Sequence, residues 1–186
     1  MHGSIDINKK NILLHICCAP CSIVPIQQMR QEGANVSGYF FNPNIHPYTE
    51  YLKRRETVKE YTKIILLQCD IDTSYDLEHF LSGAMPRGKD RCLFCYRVRL
   101  EKTFHRAIEG GFAAVSTTLL YSKYQRHDDI RKIGSELSEE FDLPFIYRDF
   151  RKGWQEGISE SKRLNMYRQQ YCGCIFSEKE RYCARK

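Results

Sequence analysis

The chain of 186 residues is 42% hydrophobic and 28% charged, ordinary proportions for a folded domain. It carries 29 Lys and Arg against 23 Asp and Glu, a net charge of +6, and no apolar run near the roughly 18 residues of a membrane span. Those figures exclude a helical membrane protein and a charge-driven disordered chain, and they fit a single domain.

The opening Met1-His2-Gly3-Ser4 has no basic flank before a long apolar stretch, so no secretory signal is expected and the cytoplasm is the expected compartment. Nine cysteines then need a use. In a reducing compartment thiols serve metals or redox chemistry rather than disulfide scaffolding.

In chain order, Leu13-Leu14-His15-Ile16 reads as a buried strand that runs into Cys17-Cys18-Ala19-Pro20-Cys21-Ser22. Pro20 and Ser22 suit a helix opening, and a helix from about Cys21 to Gly33 follows. Thiols there lie at the carboxyl end of a strand, where open α/β sheets keep their ligand crevice. They also face the positive end of a helix, which favours thiolate.

A second strand is expected over Asn35–Phe41, then a turn-rich loop from Asn42 to Pro47. Tyr48 to Lys63 has helical composition, with Lys53, Arg54 and Arg55 expected at the surface. Ile64 to Cys69 reads as a third strand, with Asp70 and Asp72 just past it and a short helix around Tyr75 to Leu81. Ser82 to Asp90 reads as a loop leading to Arg91-Cys92-Leu93-Phe94-Cys95. Tyr96, Leu100, Phe104 and Ile108 mark one helical stripe, closed by Gly110-Gly111. A fourth strand from Phe112 to Val115 enters Ser116-Thr117-Thr118. Ile130, Ile133, Leu137 and Phe141 mark another helix, and Pro144 to Tyr147 a fifth strand.

Alternating strands and helices imply an α/β fold with a parallel sheet and helices on both faces. Residues 1–150 form the core, with 19 acidic and 20 basic groups; residues 151–186 form a basic carboxyl-terminal segment with nine Lys and Arg against four Glu. That segment is expected to pack on the core within one domain. Its charge points to a polyanionic partner, although a merely solvated surface explains it as well.

Three local cysteine pairings stand out: Cys17-Cys18, the C-x-x-C of Cys92 and Cys95, and the C-x-C of Cys172 and Cys174. Four converging thiolates suffice for zinc or for an iron–sulfur cluster, and spacing does not separate the two. The surplus pair reads as an exchanging dithiol, labile because a C-x-C disulfide closes a small strained ring, or as ligands of a second metal. Cys18-Ala19-Pro20-Cys21 also has a thioredoxin-like form, while Cys21 could equally pack as a small apolar residue. Cys69 reads as a packing residue and Cys183 as part of a frayed end.

Asp70, Ser116 and Thr117 could line the crevice or serve as caps, and His15 reads as a satisfied core histidine. Lys123 and Tyr124, amid Tyr121-Ser122-Lys123-Tyr124-Gln125-Arg126, could stack on and neutralise a nucleotide. No phosphate-binding or dinucleotide glycine motif is present in the sequence.

These motifs resemble the epoxyqueuosine reductase QueH family. The likeness rests on Leu14–Cys21, Tyr39-Phe40-Phe41-Asn42-Pro43-Asn44-Ile45, Asp90–Arg97, Ser116–Gln125 and Tyr171-Cys172-Gly173-Cys174. It implies an adenine-nucleotide-hydrolase-like (HUP) fold with cysteines where relatives keep a phosphate loop. It implies reduction of epoxyqueuosine to queuosine in a tRNA anticodon loop, the last step of making that base, with an electron donor the sequence does not identify. It further implies a [4Fe–4S] cluster on Cys17, Cys18, Cys92 and Cys95, with a second iron nearby to which either group of thiols could contribute. Cys172 and Cys174 would then be the redox-active, disulfide-forming pair, Asp70 a guess for proton donor, and Ser116, Thr117, Lys123 and Tyr124 contacts to the tRNA. Two rivals stand beside it: a thioredoxin-like oxidoreductase using Cys18 and Cys21, and a zinc-stabilised RNA-binding module without catalysis.

Overall fold

The strand that feeds the first cysteines is β1, Asn11–His15, in a computed structural model that describes residues 6–183. The amino-terminal stretch read above for a signal lies outside the described residues, as do the last three residues with two of the tail's basic groups. Four of the five residues of β1 are buried, so both faces of this strand are covered, as in a parallel sheet flanked by helices. It pairs in parallel with β2, Asn35–Phe40, on one side and β4, Ala114–Thr117, on the other, and β3, Cys69–Ile71, flanks β2. The order is β3-β2-β1-β4.

Helices α1 (Ala19–Gln31) and α2 (Tyr48–Ile64) follow β1 and β2, and α3 (Leu77–Ala84) follows β3. Helix α4 (Arg91–Glu109) then carries the chain across to β4, and α5 (His127–Glu140) succeeds it. Helices α4 and α5 pack together, whereas α6 (Trp154–Arg163) packs on α1. Right-handed crossovers put these two groups on opposite faces of the sheet. The chain direction reverses at β1, so the crevice lies beyond the ends of β1 and β4. The fold class expected from the sequence is the one observed. Among the described residues no helix is long and apolar enough to cross a membrane.

Several boundaries differ. The apolar run from Ile64 closes α2 instead of forming a strand: Ile65 and Leu66 N–H groups bond to the Tyr61 and Lys63 carbonyls, and Leu66 is 89% exposed at φ 51°. The strand starts only at Cys69, which places Asp70 inside it. The fifth strand is reduced to one bridge between Val115 and Phe145. Pro144 has no N–H to donate, and the Ile146 carbonyl is taken by the Ser116 hydroxyl at 2.8 Å.

In α4, Tyr96, Leu100 and Phe104 are buried but Ile108 is 51% exposed. Four-residue steps drift by about 40° each on a helix of 3.6 residues per turn, so Arg99 and Thr103 share the buried face and Ala107 takes it in place of Ile108. The expected 82–90 loop is the last turn of α3 and a 3-10 segment, Met85–Asp90, broken at Gly88 (φ 49°).

His15 is fully buried on β1. Its Nε2 lies 3.2 Å from the Phe41 carbonyl, which can only accept, so Nδ1 takes the hydrogen of the Thr117 hydroxyl at 2.8 Å. Burial, with the nearby Arg99 charge, lowers its pKa to about 3. The unfolded chain therefore binds a proton here below about pH 6.5 that the native state refuses. Stability should fall with pH from 6.5 toward 3, by up to about 1.4 kcal/mol per pH unit from this one site. Urea unfolding across that range should show the slope, and His15→Gln should flatten it; an unchanged acid limb in the variant would remove His15 as its source.

Candidate metal and thiol site

Between β1 and α1 the chain bends at Cys17 and reaches an extended Cys18 at the helix N-cap (φ −172°, ψ 162°), with Pro20 in the first turn. One turn on, Cys21 returns its sulfur to the same place. The sulfurs of Cys17, Cys18 and Cys21 all lie within 4.8 Å of one another. From the end of β4, the Thr118 hydroxyl accepts from the Cys17 N–H at 2.9 Å and donates to the Cys17 sulfur at 3.2 Å.

The three thiols do not share charge equally. S–H groups of Cys18 and Cys21, against the opposing cost of burial, hold Cys17 well below the usual thiol range, helped by Arg99 and Thr118. Burial raises Cys18, and the neighbouring thiolate raises Cys21. The group therefore holds one thiolate stabilised by its neighbours, at the positive end of α1. Gln169, from the carboxyl-terminal segment, points its Nε2 at Cys18 (2.9 Å) and Cys21 (3.7 Å), and its Oε1 is buried without a partner.

The second thiol group comes from the start of α4. Burial pushes Cys95 up to about 12 and also raises Cys92, and both feel the charges of Cys172 and Cys174. One turn beyond Cys95, Arg99 is 2% exposed. Its guanidinium lies 3.8 Å from the Cys95 sulfur and donates to Asn42 Oδ1 at 2.6 Å, while its Nε has no partner. The Arg99 charge acts on Cys17, Cys95 and Cys172 alike. Arg99 thus touches the Cys95 sulfur and its charge reaches Cys17 and Cys172, while among the described residues the sulfurs gathered within 4.8 Å are those of Cys17, Cys18 and Cys21, without Cys92 or Cys95.

The tail is held there by a second buried arginine. Arg54, expected at the surface, is 2% exposed. It pairs with Glu50 at 2.7 Å and donates to the carbonyls of Cys172 (2.8 Å) and Tyr171 (3.1 Å). The other Glu50 oxygen accepts from Tyr167. Gly173 sits at φ 143°, where a Cβ would meet Asn44, Arg54 and Ile45 at 3.0–3.2 Å, and its carbonyl receives the His46 N–H. Cys172 is exposed as a residue, yet its sulfur lies 3.4 Å from Gln125 Nε2, and lost hydration there raises the thiol.

A family model described as epoxyqueuosine reductase QueH matches residues 12–180. The chain belongs to the QueH family. It is 35% identical over 179 residues to the epoxyqueuosine reductase QueH of Thermotoga maritima, covering 91% of each chain. The Dehalococcoides mccartyi protein of that name is 33% identical over 171 residues, 92% of this chain and 94% of that one. Among solved structures, the U34-tRNA thiolase NcsA from Methanococcus maripaludis, with its [4Fe-4S] cluster, matches with a TM-score of 0.59 at 14% identity. The match covers 91% of this chain and 62% of that one, and it establishes a shared fold.

The other residues singled out by the sequence fall in different places. Ser116 and Thr117 are fully buried, with hydroxyls bonded to Ile146 and His15; they support the crevice wall from within and present nothing to a tRNA. Asp70 pairs with Arg106 at 2.6 Å. Arg106 lies eleven residues beyond Cys95, roughly 16 Å along α4, so Asp70 is not brought to the thiols and its place as proton donor is withdrawn. The expected disulfide of Cys172 and Cys174 is not formed, since all nine cysteines are free. Cys69 packs against the core and Cys183 is exposed. Lys123 and Tyr124 are exposed beside Gln125.

Sequence reasoning missed Arg99, Arg54, Asn42 and Gln169 in these roles, and it left Cys21 undecided. Arg99 had a signal: it stands four residues after Cys95, on the same helical face. Replacing Arg54 by Met should leave Glu50 buried without its partner, at a cost of about 3–5 kcal/mol. It should also free the Tyr171–Gly173 backbone, so Cys172 should alkylate several-fold faster in a mass-resolved iodoacetamide time course. Unchanged labelling with lowered stability would separate the ion pair from the placement of the tail.

Proposed function

We propose that this chain is an epoxyqueuosine reductase acting on the modified base in a tRNA anticodon loop, where it forms queuosine. The observation that carries the reading is the cluster of Cys17, Cys18 and Cys21 within 4.8 Å at the end of β1, with Arg99 against the Cys95 sulfur at 3.8 Å, in a chain whose family relatives bear that name. The reaction opens a three-membered C–O–C ring to a C=C bond, consumes two electrons and two protons, and releases the oxygen as water.

The residues fit an iron–sulfur group by their own chemistry. Three sulfurs lie within 4.8 Å, one of them favoured as thiolate. The buried Arg99 Nε and Gln169 Oε1 remain unbonded beside them. Cys17 and Cys18 with Cys92 and Cys95 are the proposed holders of a [4Fe–4S] cluster, with Cys21 a fifth candidate by its position. A bound cluster would supply electrons singly, and a second iron would supply a Lewis acid for the epoxide oxygen.

The chain's own groups have separate tasks. Arg99 places a fixed positive charge among the thiolates and so favours their charged form. The Gln169 amide donates to sulfur, and Thr118 holds Cys17 by backbone and sulfur together. Cys172 and Cys174 are the proposed dithiol that stores an electron pair, delivered by a donor yet to be identified. The basic segment 151–186, read as part of the same domain, faces the RNA phosphates in the cytoplasm. The thioredoxin-like alternative is not favoured, because both Cys18 and Cys21 are raised, whereas an attacking thiol needs a pKa near ambient pH.

Protein purified without oxygen should be brown and contain iron and acid-labile sulfide. Cys92→Ser or Cys95→Ser should bleach it and abolish reduction of the modified base, whereas Cys69→Ser should do neither. Bleaching by Cys21→Ser would make that residue a ligand. A colourless protein that still reduced the base would overturn the cluster.

A further inference from the structure

Beside the thiols lies the corner that carries Lys123 and Tyr124, expected from the sequence to meet RNA, and its geometry gives them separate tasks. After β4 the chain makes a 3-10 turn, Thr118–Tyr121, and then the exposed Lys123 and Tyr124 before α5. Tyr121 is buried, stacks on Trp154 with centroids 5.2 Å apart, and donates its hydroxyl to the Trp154 carbonyl at 2.9 Å. Tyr124 meets Trp154 edge-on at 5.8 Å and 81°, and is 77% exposed. Lys123 Nζ sits 5.4 Å from the Tyr124 ring centre and 5.2 Å from that of Trp154.

Two features make this more than a chance exposed tyrosine. First, the corner is fixed from below: Tyr121 anchors Trp154, and Trp154 with Lys123 sets the attitude of the Tyr124 ring. An aromatic face held in place before binding loses little conformational freedom when something stacks on it. Second, it adjoins the thiols. Gln125, the next residue, lies 3.4 Å from the Cys172 sulfur and accepts from Tyr96 at 2.9 Å.

The charges nearby are mostly positive, although Arg126 is paired with Asp129 and Glu156 lies near Tyr121. Lys123 and Arg126 flank the ring in sequence, and exposed Lys152 stands two residues before Trp154. Aromatic faces between cations match unpaired nucleotides, which offer an open base face and a phosphate. A duplex offers only the phosphate, because its base faces are covered by stacking.

We propose that Tyr124, braced by Trp154 and Lys123, is a stacking stage for an unpaired RNA base flanking the one that enters the thiol site. The inference rests on the reading of the substrate as RNA, and it assigns Trp154 and Tyr124 to holding a neighbouring nucleotide. Lys123 takes the adjoining phosphate.

Trp154 is the only tryptophan in the chain, so its emission reports on the stage directly. Anaerobically purified full-length protein would be titrated with an unmodified anticodon-type RNA hairpin and with a blunt RNA duplex of equal charge. Trp154 emission and the anisotropy of labelled RNA would be read together. The hairpin should change the emission saturably and the duplex should not. Tyr124→Ala should weaken hairpin binding by about tenfold or more, the scale of one lost stacked base, and Tyr124→Phe should keep it. Lys123→Ala should lower the slope of log affinity against log salt by about one.

Equal responses to hairpin and duplex, or hairpin affinity untouched in Tyr124→Ala, would overturn the stage. So would an emission change produced only by a protein partner and not by RNA. The reductase reading fails separately, if wild-type protein binds the hairpin through Tyr124 yet leaves the epoxide of modified tRNA intact. If Tyr124→Ala instead binds hairpin and reduces modified tRNA like wild type, the stage falls and the reductase stands.

Discussion

A buried guanidinium governs this structure. Arg99 points from the middle of α4 into a space bordered by β1, the Asn42 loop and the carboxyl-terminal segment, and it is 2% exposed. A charge so far from water is tolerated only with compensating partners. Its firm neutral partner is Asn42 Oδ1 at 2.6 Å, and the rest of its field falls on Cys17, Cys95 and Cys172. The cation favours the thiolate at each of them; Cys17 is lowered, while burial outweighs Arg99 at Cys95 and Cys172 and raises both. The Cys17 thiolate and the cation stabilise each other, and neither would be favoured in an apolar core.

The sheet makes this meeting place available. The order β3-β2-β1-β4 puts the reversal of chain direction at β1, so the segments leaving β1 and β4 diverge to opposite faces. Cys17 and Thr118 stand at that divergence and bond across it. Asn42, just after β2, ties the same point to Arg99, since its Nδ2 donates to the Ile16 carbonyl at 2.8 Å. The third contributor has no strand to place it. Residues 167–175 depend on Glu50 and Arg54 of α2, on Gly173 lying against Asn44, and on the His46 backbone. Polar bonds to backbone carbonyls do for the tail what the hydrogen-bond ladder does for the core.

How much of this the sequence disclosed follows from the range of each interaction. The β1 strand, the cysteines at its end and α4 with its C-x-x-C were legible because apolar period and capping chemistry are local. The same locality explains the errors. Ile64–Leu67 has a strand's composition, but the positive φ at Leu66 and the two N–H bonds closing α2 are decided by what α2 packs on. Pro144–Tyr147 has a strand's residues, but its pairing is limited by Pro144 and by a hydroxyl some thirty residues away. Arg54 read as a surface charge and Arg99 was not singled out, because a single helix turn does not reveal that a tail 118 residues later, or a loop 57 residues earlier, will supply the acceptors. Cys21 was undecided for the same reason, since its role follows from where its sulfur sits relative to Cys17 and Cys18.

The buried polar atoms left unbonded show where the conflict between stability and chemistry lies. Among the described residues there are five such atoms; Gln169 Oε1, Arg99 Nε, Asn44 Oδ1 and Arg91 Nε belong to residues that touch the thiols or the tail carrying them, and the fifth is His127 Nδ1. An unsatisfied buried group costs about 1–3 kcal/mol, a large fraction of the margin that keeps a domain folded. Such groups are scarce in a core built only for stability. Their concentration around Cys17, Cys95 and Cys172 means the polypeptide alone does not complete this region's hydrogen bonding. The surrounding sheet and helices supply the stability that offsets these unbonded groups.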